Sequence, residues 1–148
     1  MNIQQQMMSM AIKAKLSTLW IFFLLNMIFR DIHEFVEPGF IAEIMTGTSN
    51  GNPITEQMLL LGGVMIEVPI AMVLLSRLLP YRANRWANIT VAVIYLALIL
   101  FFGSTDLDDT FHLIAESVAL LCVIGLAWRW RQPFARRHSV SQKHNQTA

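Results

Sequence analysis

Apolar residues run along the chain in four long blocks, and the polar gaps between the blocks alternate in the sign of their charge. A helix needs roughly 20 residues to cross a hydrocarbon core about 30 Å thick. Four segments are long enough: Leu16 to Val36, Ile54 to Leu79, Trp86 to Gly103 and Thr110 to Trp130. In the first, the uninterrupted apolar part ends at Phe29, so the charged group from Arg30 to Glu34 must enter the outer leaflet or lie at its surface. No segment shows the alternation over roughly ten positions that a closed barrel needs.

The residues between the blocks set the connections. Pro80 predicts a tight turn that stops the second helix, and Asn84 is placed to cap the third. Asp108 or Asp109 is available to cap the fourth. In the first outer loop, Pro38 can open a short helix whose Phe40, Ile41, Ile44 and Met45 share one face before Gly47 to Pro53 breaks it. The expected fold is an all-α membrane protein: an antiparallel four-transmembrane-helix bundle over residues 1–131, with a short interfacial helix in that loop. A basic cytoplasmic tail at 132–148, expected to be disordered and able to touch anionic lipid, follows.

Charge sets the orientation. Lys13 and Lys15, then Arg77, Arg82 and Arg85, then Arg129, Arg131, Arg136, Arg137 and Lys143 form three basic clusters. Glu37, Glu43 and Glu56, and later Asp106, Asp108 and Asp109, occupy the gaps between them. Short loops rich in Lys and Arg stay cytoplasmic, so both termini are expected there. Trp20, Trp86, Trp128 and Trp130 all fall at the same predicted helix ends, as suits indole at the headgroup boundary. Lys13 and Lys15 ahead of an apolar run have the order of a signal peptide, but Arg30 to Glu34 stands where a small-residue cleavage site belongs. An uncleaved first span is expected.

Composition agrees. With 55% hydrophobic and 14% charged residues the chain does not suit a small water-soluble globule. The polarised charge accounts for the basic residues without nucleic acid as a partner. Cys122 is alone, which excludes an internal disulfide, a Cys-x-x-Cys centre and a Cys-based zinc site. Gly62 and Gly63, and the pair Ala115 and Ala119, offer small surfaces for close helix contact. The nine Met residues read as gap fillers or lipid-facing side chains. No nucleotide-binding glycine loop or Ser-His-Asp constellation is recognisable.

Candidate chemistry lies in the polar residues within the apolar blocks. Asn26, Arg30 and either His33 or Glu34 follow one another at helical spacing, and His112 and Glu116 are four apart on another helix. Glu67 lies about halfway along the second span, where Pro69 leaves the carbonyl of Met65 without its helical donor. An ionisable group near the bilayer centre costs about 2.5–3.5 kcal/mol on insertion scales, so such groups face inward and pair. Arg30 is the natural counter-ion for Asp31, Glu34, Glu67 and Glu116. One guanidinium cannot balance four carboxylates, so at least one is protonated, water-exposed or bound to a cation. Glu67 is cast as the buried carboxylate and Asp31, Glu34, His112 and Glu116 as the mouth.

His112 and Glu116, completed by His33, Glu34 or Glu67, are weak candidates for a metal. His33 and His112 could also flank a haem. No recognised motif accompanies either, and no cofactor is expected. The cytoplasmic halves, Val73 to Leu79 and Leu120 to Ala127, are nearly devoid of polar groups, which argues for a site with one opening rather than a channel.

The stretch Glu67-Val-Pro-Ile-Ala-Met-Val-Leu-Leu-Ser-Arg, with Leu79-Pro-Tyr-Arg-Ala-Asn-Arg-Trp-Ala-Asn after it and Lys15-Leu-Ser-Thr-Leu-Trp-Ile-Phe and Asp31 before it, resembles a family of small bacterial four-helix integral membrane proteins of unknown function. The resemblance covers about residues 13–131. In general architecture the chain is also similar to DoxX-like proteins. The resemblance implies a multi-pass protein of the bacterial inner (cytoplasmic) membrane and brings no reaction. The leading functional expectation is an acid-rich pocket in the outer half of the bundle, built on Arg30, Asp31, Glu34, Glu67, His112 and Glu116, that binds a small molecule, a proton or a cation. The alternative is an assembly subunit, with a homo-oligomer or another membrane protein as partner, whose polar cluster only locks the helices together. A membrane oxidoreductase or metal-binding protein is the third reading, and an enzyme is the less favoured class.

Overall fold

Residues 3 to 34 contain neither Gly nor Pro, and they form one continuous helix, α1 (Ile3–Glu34). At about 1.5 Å per residue it is about 48 Å long and starts well ahead of the predicted span. The computed structural model describes residues 3–49, 51–103 and 107–130, so the expected tail at 132–148 lies outside the described residues. After α1 come α2 (Phe40–Met45), β1 (Thr48–Ser49), β2 (Asn52–Pro53), α3 (Glu56–Leu78), α4 (Tyr81–Phe102) and α5 (Leu107–Arg129). Helices α1, α3, α4 and α5 are long and apolar enough to cross a membrane. Helix α1 is the central element, packed along α3 on one side and α5 on the other, and α5 carries α4.

The connections differ from expectation in three places. Pro38 stays outside α2, which is preceded by Gly39 at φ +94°, a conformation that glycine adopts without a Cβ clash. Residues after α2 close a two-stranded antiparallel ladder pairing Thr48 with Pro53 and Ser49 with Asn52, so the protein is not wholly helical. Its turn is tied back to α2 by the Gly51 N–H, which donates to Glu43 Oε1 at 2.8 Å. Lastly, α4 starts at Tyr81 rather than at Trp86, because Pro80 supplies its first, extended position. Asn84 is therefore inside α4. Its amide donates to the Ser76 carbonyl at 2.6 Å and lies 3.4 Å from the Leu79 carbonyl, so it caps the end of α3 instead of the start of α4.

The core follows helical spacing. Leu16, Trp20, Phe23 and Met27 form one stripe of α1 and are buried against Met72, Ala92, Tyr95, Leu120 and Val123. Trp20, Phe23 and Tyr95 meet edge to face, with ring centroids 5.4–6.4 Å apart. Trp20 is fully buried, not an anchor at the headgroups, and Trp130 is buried too; only Trp86 and Trp128 are exposed as expected.

Nor is the basic half purely apolar. Trp20 Nε1 donates to Asn88 Oδ1 at 2.7 Å, and Ser76 Oγ donates to the same oxygen at 3.0 Å. Asn88 Nδ2 donates to the Asn84 carbonyl and Oδ1 at 2.8 and 2.7 Å. This buried network joins α1, α3 and α4. Deeper in α3, the Met65 carbonyl that Pro69 leaves without a helical donor accepts from the Tyr95 hydroxyl at 2.6 Å. Removing that hydroxyl orphans a carbonyl where water is scarce. Tyr95→Phe should lower the unfolding free energy in mixed micelles by about 1 kcal/mol. In a Pro69→Ala background residue 69 regains its own N–H, and the same change should cost much less; equal losses in both backgrounds would disprove the link.

Candidate functional site

The polar face of α1 meets the polar face of α5 at the acidic end of the bundle. Arg30 and Glu116 bridge the two helices, with Nη1 3.4 Å from Oε2. Glu116 is 1% exposed, and its other oxygen, Oε1, has no hydrogen-bond partner. Arg30 also approaches Asp31 at 4.0 Å on its own helix. One turn away, His112 Nδ1 lies 3.4 Å from Asn26 Oδ1, and the His112 ring touches His33 edge to face with centroids 5.3 Å apart. His33 Nδ1 in turn lies 3.8 Å from Asp108.

Helical spacing explains the α5 side. Asp108, Asp109, His112 and Glu116 recur at intervals of three, four and eight, so they line one face, and the two aspartates fall in the first turn where the helix dipole favours negative charge. Their contribution was not foreseen beyond a capping role. The signal was in the sequence, since Asp108 and His112, like His112 and Glu116, are four apart. Asp109 lies within electrostatic range of Asp31, Glu34 and Glu116. The cluster therefore holds Asp31, Glu34, Asp108, Asp109 and Glu116 around one arginine.

Glu67 is not in it. Its side chain is on the exposed surface of α3, about 16 Å along the helix from Glu56 and hence near the middle of the span. The expected pairing with Arg30 is replaced by the Arg30–Glu116 bridge, because α1 turns its polar face toward α5 and its apolar stripe toward the core. Gly62 and Gly63 are also exposed, and a Cβ built on either meets nothing within 4 Å, so they do not serve close packing inside the chain. Ala119, 2% exposed, is buried in the core.

His33, His112 and Glu116 do not form a metal centre: among the described residues no three His, Cys, Asp or Glu side chains group closely enough to hold one. The edge-to-face contact of His33 and His112 sets the two imidazoles against each other, not on opposite faces of a macrocycle. What the arrangement offers chemically is a surplus of carboxylate beside a half-buried ion pair, with Glu116 buried and Arg30 partly exposed. Breaking such a pair from one side strands a charge. Arg30→Met should cost about 3 kcal/mol in urea unfolding in micelles, and Arg30→Met/Glu116→Met should recover most of it.

A model of a family of unknown function (DUF6326) matches residues 6–135. This agrees with the resemblance to an uncharacterised family, while the likeness to DoxX-like proteins gains no support. No curated protein and no solved structure matches the chain.

Proposed function

We propose that this chain, which belongs to the family of unknown function DUF6326, is a multi-pass inner-membrane protein that holds a proton or small cation in a net-acidic cluster at the outward end of its helix bundle. The observation that carries this reading is Glu116: a nearly fully buried carboxylate with one oxygen bridged to Arg30 and the other unpartnered, in a cluster that has more carboxylates than arginines. A proton, a small cation or a cationic ligand group would balance that charge. Depth supports it as well. Lys15 and Glu34 lie about 28 Å apart along α1, close to a hydrocarbon thickness, which suits Glu34 near the surface, and Glu116 lies about 12 Å from Asp108 along α5.

The polarity of the loops supports cytoplasmic termini and an outward-facing cluster. Ile41 and Met45 of α2 are exposed at that end, which suits a helix resting on the membrane surface. At the other end Trp20, Asn84 and Asn88 fill the interior, which supports a site with one opening rather than a conduit.

Ligand that binds only the folded state raises its stability, by about 2.7 kcal/mol at a hundred times its Kd. With ionic strength held constant, one of Na⁺, K⁺, methylammonium or choline should raise the thermal unfolding midpoint of the purified protein. Glu116→Gln and Asp109→Asn should abolish the rise while still folding. If no cation acts and the midpoint varies with pH in Glu116→Gln as it does in the native chain, the cluster is a structural lock.

One observation favours a second reading, an assembly subunit. Glu67 is a carboxylate in mid-span on an exposed surface, and every residue from Glu56 to Val64 on the same helix is exposed. Lipid is a poor neighbour for that carboxylate, whereas a second chain could approach closely over Gly63, one turn away. Single-molecule photobleaching in bilayers should then show more than one copy, and Glu67→Leu or Gly63→Leu should shift the population to monomers. Monomers of the native chain would rule the reading out.

A further inference from the structure

At the basic end of the bundle, far from the acidic cluster, α1 and α5 leave an open groove of about 740 Å³ between them. Its walls include Thr18, Leu19, Cys122 and Gly125, and Lys15 and Arg129 also line it. The Thr18 hydroxyl is spent on the Ala14 carbonyl at 3.0 Å, so the wall below the two cations is apolar. Gly125 is exposed and a Cβ there meets nothing, which leaves the groove its width. Cys122 lies about 10 Å along α5 from Arg129, toward the bilayer interior. Cations therefore stand at the mouth of an apolar slot that runs about two turns inward.

The cations at this end divide by use. Lys13 donates to the Leu79 and Arg77 carbonyls at 2.7 and 3.2 Å, Arg77 donates to Ser17 at 3.2 Å, and Arg85 stacks 5.5 Å over Trp128. Lys15 and Arg129 are exposed and engage no partner among the described residues. Two uncommitted cations over an apolar slot are complementary to one molecule with a negative head and a hydrocarbon tail. The chain's own tail is not complementary: residues 131–148 add Arg131, Arg136, Arg137 and Lys143 and no Asp or Glu.

We propose that this groove is a site for an anionic phospholipid of the leaflet at the basic end, its phosphate held by Lys15 and Arg129 and an acyl chain laid along Leu19, Cys122 and Gly125. Basic pockets between transmembrane helices on the cytoplasmic side are suited to such head groups. The cluster at the other end plays no part in it.

Native mass spectrometry of the full chain, with phosphatidylglycerol and phosphatidylcholine of identical acyl chains as probes, tests the site. The native protein should retain phosphatidylglycerol preferentially. Preference should fall about fivefold for each of Lys15→Gln and Arg129→Gln, and further in the double variant. Gly125→Leu, with both cations intact, should reduce retention of both lipids by filling the slot. The single variants keep the test open if the double variant folds poorly. Unchanged preference in the Lys15 and Arg129 variants overturns the proposal. So does equal loss in Arg82→Gln, which marks diffuse surface charge, or loss that follows Arg136→Gln/Arg137→Gln, which assigns the lipid to the tail. Displacement of phosphatidylglycerol by inorganic phosphate at matched concentration would make it a site for a soluble anion, and also overturns it.

Discussion

In hydrocarbon a backbone carbonyl without a donor has no water to turn to, and this single constraint orders the bundle. At three places where helical bonding lapses, a side chain from a neighbouring helix takes the free carbonyl. Pro69 frees the Met65 carbonyl, and Tyr95 of α4 takes it. The end of α3 leaves the carbonyls of Ser76, Arg77 and Leu79 open, and Asn84 of α4 and Lys13 of α1 reach them. Tyr81 donates to the Trp130 carbonyl just past the end of α5 at 2.7 Å. Because the closing groups at these three places come from other helices, satisfying the backbone there also fixes which helices are neighbours.

The two ends of the bundle use polarity differently. At the basic end Asn84, Asn88, Ser76 and Trp20 bond one another and hold α1, α3 and α4 in register, while Arg85 Nε beside them is buried without a hydrogen-bond partner and its guanidinium stacks on Trp128. At the acidic end the count does not balance. Carboxylates outnumber the one arginine, and Glu116 keeps an oxygen unpartnered. A buried network whose members are all bonded makes the fold rigid, whereas an unpartnered buried oxygen such as Glu116 Oε1 is costly. The same contrast separates Lys13 and Arg77, which are spent on the fold, from Lys15 and Arg129, which are not.

Much of this was legible along the chain. Spans, the turn at Pro80, the polar face of Asn26 and Arg30, the pairing of His112 with Glu116 on one face, and the orphaned Met65 carbonyl all follow from local periodicity and the chemistry of proline. Asp109 could have been read too, from its place seven residues before Glu116. Glu67 could not. Its distance from the bilayer surfaces follows from counting residues, but whether it faces Arg30 or the outside depends on the rotation of α3 about its own axis.

That distinction divides the protein. Length, hydropathy and charge decided that four helices are long and apolar enough to cross a membrane and which ends are basic, since insertion responds to properties summed along about 20 residues and needs no knowledge of neighbours. Rotation, by contrast, was decided only when α1 packed between α3 and α5. The stripe of Leu16, Trp20, Phe23 and Met27 had to be buried together with the hydrogen-bonding partners of Trp20, and that choice turned Arg30 toward Glu116 and left Glu67 outside. A helix carries its residues in a known order around its axis, but only its neighbours decide which of them face inward.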